Sequence, residues 1–147
     1  MQNQTNTSEI LSSASLTDLF GEPIHTYTRA QAIEDGMLVD VSDTAKEAGF
    51  SIPVVLTAAA WADCVEWTSK DSARQTHQDE AGRLWDVLWM ASCAARRHAG
   101  KGEVDFQFYR VPRGGRGHMA RLATLIMKIG FDDDGAPCIT IMQPHED

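Results

Sequence analysis

A cluster of basic residues and glycines is the first feature of this sequence that could bind a ligand. The segment YRVPRGGRGHMAR sets three glycines among five basic side chains, which are Arg110, Arg113, Arg116, His118 and Arg121. Backbone amides freed by glycine, together with guanidinium groups, form sites for anions. We therefore predict that this segment binds nucleic acid, a phosphorylated ligand or an acidic protein partner. The alternative is a solvated hairpin tip without a ligand.

A second cluster contains acids and a histidine just before a predicted helix. His77, Asp79 and Glu80 precede this helix, and Asp86 lies within it. Carboxylates beside a histidine can hold a divalent cation or share acid–base chemistry. Acids at the start of a helix also stabilise its positively polarised end without any chemistry. We favour this capping role and expect neither a metal nor a cofactor.

A third pattern surrounds His25 and Tyr27, which precede a short helix that closes on Gly36. The segment IHTYTRAQAIEDG resembles the early strand and helix of ADP-ribosyltransferase-like enzymes. In that family a histidine and a tyrosine hold the nicotinamide nucleotide, and a later glutamate orients the attacking group. The resemblance implies His25 and Tyr27 in these roles, with Glu80 or Glu103 as the glutamate. The alternative is that these residues only form helix ends and packing contacts.

Helix-ending signals divide the chain between residues 28 and 100 into short helices. Thr28 and Gln31 form a capping box, which predicts a helix from Arg29 to about Asp35. Further helices are predicted at about 44–49, 58–68 and 83–98, whereas the polar segment 69–82 interrupts the pattern. Short strands are predicted at 37–41 and 52–57, and Thr57 is expected to end the second strand and start the helix after it.

The predicted helix at 83–98 has the strongest amphipathic pattern in the sequence. Leu84, Leu88 and Ala91 form an apolar stripe at helical spacing. Trp85 and Trp89 are predicted to widen this buried face, so their indoles are assigned to the core rather than to ligand stacking.

Alternating apolar residues predict strands in the C-terminal part, at 103–111, 121–130 and 138–142. Short links between them predict a three-stranded antiparallel meander. The expected fold is α+β, with an N-terminal helical part packed on this meander. Residues 1–15, rich in Ser, Thr, Asn and Gln, are predicted to be a disordered tail, and residues 16–147 a single globular domain.

Composition narrows the class of protein. The chain has 147 residues and 43% hydrophobic residues, which fits one globular domain. Its three cysteines have no paired spacing and are predicted to be free thiols. No apolar run approaches the ~20 residues of a membrane span, and the N-terminus lacks the pattern of a secretory signal. We therefore expect a cytoplasmic protein.

Charge is distributed unevenly along the chain. The formal net charge is −8, yet residues 96–128 contain eight lysines and arginines against two acids. An acidic body with a local basic patch bears on the choice of partner rather than on the fold.

Several segments of the sequence resemble a known family over roughly residues 18–147. They are TYTRAQAIEDGMLVDVS, VVLTAAAWADCVEW, QDEAGRLWDVLWM, FYRVPRGGR and ITIMQPHED. They are similar to the "plasmid-related protein" family of bacterial conjugative plasmids and integrative elements, whose function is unknown. This resemblance implies an accessory role, such as evading restriction or CRISPR defence or maintaining a plasmid, and carries over no catalytic residue.

These observations favour a non-enzymatic binding module over an enzyme. The expected partner is a host protein or a nucleoprotein complex, contacted by the acidic N-terminal half and the basic segment 110–121. A small ADP-ribosyltransferase-like enzyme that binds NAD, and a nucleic-acid-binding module that uses 110–121, are the two alternatives. Oligomeric state is not predicted.

Overall fold

The structure is a computed structural model, and it describes residues 27–146. The helices are α1 (Arg29–Glu34), α2 (Ser42–Glu47), α3 (Ala58–Cys64), α4 (Ser69–Arg74) and α5 (Glu80–Arg97). The strands are β1 (Leu38–Asp40), β2 (Val54–Thr57), β3 (Glu103–Arg110), β4 (Arg121–Phe131) and β5 (Pro137–Met142). The predicted tail 1–15 and His25 lie outside the described residues.

All five strands form one mixed sheet in the order β1-β2-β5-β4-β3. The pairs β3–β4, β4–β5 and β1–β2 are antiparallel, whereas β2 and β5 run parallel. The chain therefore crosses from β2 through three helices and two strands before β5 returns beside it. Within residues 27–146, strand β3 has a neighbour on only one side and forms an edge of the sheet.

Helices α2, α3 and α5 cover one face of the sheet and enclose the main core. The alternation of β3 turns Val104, Phe106 and Phe108 into this core, where they meet Leu88 of α5. Helix α1 lies against the opposite face, where the Arg29 guanidinium donates to the Thr140 hydroxyl and the Ile139 carbonyl.

Several local predictions are confirmed. The Thr28–Gln31 capping box starts α1, and Gly36 beyond its end has a φ of +79°, a conformation that favours glycine. Cys64, Cys93 and Cys138 are free thiols, and the first and third are buried. The α+β class is also confirmed.

The prediction of a three-stranded antiparallel sheet is wrong in strand number and type. β3, β4 and β5 are consecutive antiparallel neighbours, but β2 adds to β5 in parallel and β1 extends the sheet beyond it. The long crossover between β2 and β5 cannot be read from local pattern, because parallel pairing leaves no turn signal.

The prediction that Trp85 and Trp89 fill the core is also wrong. The buried stripe of α5 runs through Leu84, Val87 and Leu88, and the two indoles lie beside it with exposures of 37% and 44%. The polar segment 69–82, which was predicted to interrupt the helices, contains a helix itself, since Thr68 and Asp71 form a second capping box that starts α4. None of the helices in 27–146 has the length and apolar character that crossing a membrane requires.

Candidate binding face

The hairpin that joins β3 to β4 carries the predicted basic cluster, and half of its arginines are already paired. Arg110 contacts the Asp63 carboxylate of α3 at 3.0 Å, and its Nε donates to the carbonyl of the same residue. Arg113 contacts Asp71 at 2.7 Å and Glu66 at 3.1 Å. These two guanidinium groups therefore bind the hairpin to the helices beneath it.

Asp71 is the structural centre of this attachment. Asp71 is only 5% exposed, and its carboxylate accepts hydrogen bonds from the Arg113 side chain and from the Thr68 backbone N–H. The hydrogen bond from Arg113, followed by that from Thr68, lowers the pKa of Asp71 to about 2. The carboxylate is thus charged throughout the physiological pH range. Asp71 was not among the predicted site residues, although its capping-box spacing after Thr68 is visible in the sequence.

The hairpin tip is further anchored by the carboxamide of Gln75, just after α4. Its Nε2 donates to the carbonyls of Pro112 and Gly117, and its Oε1 accepts from the Gly114 amide at 2.9 Å. One side chain thereby satisfies three backbone groups of the loop. The basic side chains that remain exposed beyond this anchor are Arg116, His118 and Arg121, which we call the basic rim.

An apolar groove of about 240 Å³ runs beside the hairpin, between α5 and the open edge of β3. Trp89 and Met90 line it from α5, and Tyr109 and Leu122 line it from the sheet. Tyr109 and Leu122 are paired in the β3–β4 register, and they are 67% and 51% exposed. Exposed aromatic and aliphatic side chains thus form a continuous surface.

The two indoles of α5 are arranged as a stack. Trp85 and Trp89 lie four residues apart, with ring centroids at 5.8 Å and nearly parallel planes. The Arg96 guanidinium lies 5.6 Å from the Trp89 ring, and it also donates to the Ser92 hydroxyl. We call Trp85, Trp89, Met90, Tyr109 and Leu122 the aromatic face.

Of the residues of the enzymatic alternative, Tyr27 and Glu80 lie at different places in the structure. The Tyr27 hydroxyl donates to Asp35, whose carboxylate raises the pKa of the phenol. Glu80 accepts the Trp67 backbone N–H at the start of α5. Tyr27 lines a groove with Phe131 and Ala59, and Glu80 does not contribute to it.

The acids near α5 act at its N-terminus, as predicted. Asp79 is the N-cap residue and accepts the Gly82 amide at 2.7 Å, while His77 is exposed. Asp86 lies about two turns further along, where burial raises the pKa of its carboxyl group. Within residues 27–146 no three His, Cys, Asp or Glu side chains are placed to hold a metal ion.

A polar cavity of about 310 Å³ lies beside Asp40, at the end of β1. Trp61, Asp43 and Thr44 contribute to its walls. Asp40 accepts the Ser42 amide, and the Ser42 hydroxyl bonds the backbone of Val54. Its acids and hydroxyls therefore serve in part to join β1 and α2 to β2.

Comparison with known proteins places the chain in a family. A model of the family of unknown function DUF6573 matches residues 16–147. The chain belongs to DUF6573. The expected membership of a family of unknown function over most of the chain is thereby confirmed, whereas the link to plasmids stays a prediction. No curated protein and no solved structure matches the DUF6573 chain.

Proposed function

We propose that this DUF6573 protein is a non-enzymatic binding module whose aromatic face and basic rim contact a protein partner. The exposed Trp85–Trp89 stack beside Tyr109 and Leu122 is the observation that carries this proposal. Tryptophan, tyrosine, methionine and arginine are the side chains enriched in protein interfaces. Stacked indoles with large exposed areas offer apolar surface that a partner would bury.

The partner that fits this surface best is an acidic segment in extended conformation. Strand β3 has one neighbour in the part of the chain that the structure describes, so a row of its backbone N–H and C=O groups there is open to pairing with an added strand. Side chains of the added strand would reach the apolar groove. Arg116 and Arg121 of the basic rim would attract acids that flank the segment.

We further propose that this partner is a host protein or nucleoprotein complex, and that the module is an accessory protein of a bacterial mobile genetic element. Support for this setting comes from the sequence words similar to the "plasmid-related protein" family. A role against restriction or CRISPR defence, or in plasmid maintenance, would place a small protein-binding module in contact with host machinery.

The experiment compares the wild-type protein with matched charge substitutions. Trp89→Glu and Leu122→Glu alter the aromatic face, and Phe131→Glu alters an equally apolar side chain, 77% exposed, at the far end of β4. We expect affinity capture from host cells to retain a defined partner with the wild type and Phe131→Glu and to lose it with the other two.

Plasmid establishment in restricting and non-restricting hosts provides the functional readout. Deletion of the gene and the Trp89→Glu variant are expected to reduce establishment, whereas Phe131→Glu is expected to behave as the wild type. Loss of capture in all three variants rejects the aromatic face as the binding surface. Establishment that deletion of the gene does not affect rejects the role in a mobile genetic element.

Nucleic acid is a second candidate partner, because Arg116, His118 and Arg121 remain exposed on one hairpin. Pairing of Arg110 and Arg113 with acids leaves few cations for phosphates. Each neutralised phosphate contributes about −0.9 to the slope of log affinity against log salt. Binding through Arg116 and Arg121 therefore predicts a slope of about −2, and a steeper slope or no binding rejects this candidate.

A further inference from the structure

Arg83, in the first turn of α5, is a buried cation with unused donors. The residue is 4% exposed. Its Nε donates to the Val65 carbonyl, and its Nη1 donates to both the Gln78 side chain and the Val111 carbonyl. A guanidinium has five N–H donors, and these contacts use three of them. The remaining two belong to Nη2, which is buried and has no hydrogen-bond partner in the described part of the chain.

Among the described residues no carboxylate lies within ion-pair distance of Arg83, and the Asp86 carboxylate on the same helix acts on it only at longer range. The neighbouring guanidinium, Arg110, is paired with Asp63, and Arg113 is paired with Asp71. Arg83 instead lies against the Trp67 ring, with its central carbon 4.5 Å from the ring centroid. A buried cation satisfied only by carbonyl groups and a ring is a costly arrangement unless an anion completes it.

Arg83 lines a cavity of about 170 Å³ beneath the hairpin. Phe108 and Tyr109 provide apolar walls, Gln78 and Arg110 polar ones, and Ala120 lies exposed at the mouth. At about 30 Å³ for each water, the volume corresponds to about five or six waters. It is also sufficient for a carboxylate with a short aliphatic stem.

We propose that this cavity binds a carboxylate group, with the carboxylate oxygens at the Arg83 guanidinium and the stem against Phe108 and Tyr109. A singly charged carboxylate suits the site better than a phosphate dianion. Of the two guanidinium groups that line the cavity, Arg110 is paired with Asp63 and Arg83 has no ion pair, and the Asp86 carboxylate on the cavity wall would repel a second negative charge. Because Nη2 is buried beside the cavity, binding requires the side chains around it to shift so that the ligand reaches its two donors.

The carboxylate has two possible sources, a free small carboxylic acid or an acidic side chain of a bound protein. The cavity and the groove of the aromatic face share Asp86, Phe108 and Tyr109, so a segment in the groove would reach the cavity. The proposal for the cavity does not rest on the proposed protein partner, because a free acid would occupy the site in its absence.

The test follows the Arg83 Nε–H and Trp67 indole N–H resonances in the full-length protein during titration with sodium propionate. Sodium chloride at the same ionic strength is the reference. We expect saturable shifts of both resonances with propionate, absent with chloride and at least tenfold weaker with phosphate. Shifts that do not saturate, or a stronger response to phosphate, overturn the carboxylate assignment.

Two variants locate the effect. Ala120→Trp closes the mouth of the cavity from an exposed position and leaves Arg83 in place, so folding is expected to be retained and the propionate response lost. Arg83→Lys, if folded, is expected to weaken the response at least tenfold. An unchanged response in Ala120→Trp overturns the proposal whether or not the lysine variant folds.

A final comparison separates the two sources. A five-residue glutamate peptide and the matching glutamine peptide are titrated in the same way. Binding of the glutamate peptide at least tenfold tighter than propionate, with loss in Ala120→Trp, assigns the site to an acidic side chain. Equal affinities assign it to a free acid. Absence of partner capture with an intact propionate response would reject the proposed function alone.

Discussion

Replacement of Gln75 by alanine tests whether the hairpin tip is held in place by a single side chain. The substitution removes three hydrogen bonds, to Pro112, Gly117 and Gly114, and leaves the backbone contacts of the α4 end intact. At about 0.5–1.5 kcal/mol for each bond, the loss lies between about 1.5 and 4.5 kcal/mol. The lower end applies, since water replaces the amide at the exposed loop carbonyls.

The assay combines urea unfolding, followed by tryptophan fluorescence, with hydrogen exchange of the Gly114 amide. Gln75→Ala is expected to lower the free energy of unfolding by about 1.5 kcal/mol and to accelerate exchange at Gly114. Gln107→Ala is the matched control, because its carboxamide makes one exposed bond of 3.3 Å to Thr124. Its expected loss is below about 0.5 kcal/mol.

Two results together would refute this reasoning. One is an unfolding midpoint of Gln75→Ala equal to that of Gln107→Ala, and the other is an unchanged exchange rate at Gly114. The tip would then be held by the Arg113 ion pairs alone. Under the proposed function, order in this loop would favour binding, since a fixed tip presents Arg116 and His118 without the entropic cost of arranging them.

Three further predictions concern stability and reactivity. Because the pKa of Asp71 is lower in the folded protein, its charged carboxylate stabilises the fold above pH 3.8, and this contribution is lost as pH falls towards 2. In an acid titration, the free energy of unfolding of Asp71→Asn should therefore fall less between these pH values than that of the wild type. Leu88→Ala, at a fully buried site, should lower the free energy of unfolding by about 2–5 kcal/mol, and Trp89→Ala by clearly less, measured by urea unfolding; equal losses would place Trp89 in the core. Burial raises the pKa of Cys64 to about 12, so native protein should react with iodoacetamide at the partly exposed Cys93 and not at Cys64, as read by peptide mass spectrometry.

Local signals in the sequence were sufficient for much of the fold. Capping residues such as Thr28 and Thr57 act within a few residues of the helix they start, so spacing alone identifies them. Alternation in β3 likewise identified which side chains enter the core. Signals of this kind do not report which strands become neighbours, and the parallel β2–β5 pair was missed for that reason.

The binding face was predictable only in part. The basic segment could be recognised in the sequence. Which of its arginines are paired depends on Asp63 and Asp71, which lie 47 and 42 positions before Arg110 and Arg113. Helical spacing placed Trp85 and Trp89 close to the apolar stripe without showing which side of it the sheet would cover. The Arg83 cavity is lined by residues of α3, α5 and β3, so no local sequence pattern predicts it.

The most direct test of the central claim is site-specific photocrosslinking in host cells. A photoreactive amino acid is placed at Leu122 on the aromatic face, and in a separate variant at Phe131, which is more exposed and lies at the other end of the same strand. We expect a discrete adduct with a host protein from position 122 and none from position 131. Equal adducts from both positions, no adduct from 122, or an adduct only with a second copy of the chain would contradict it.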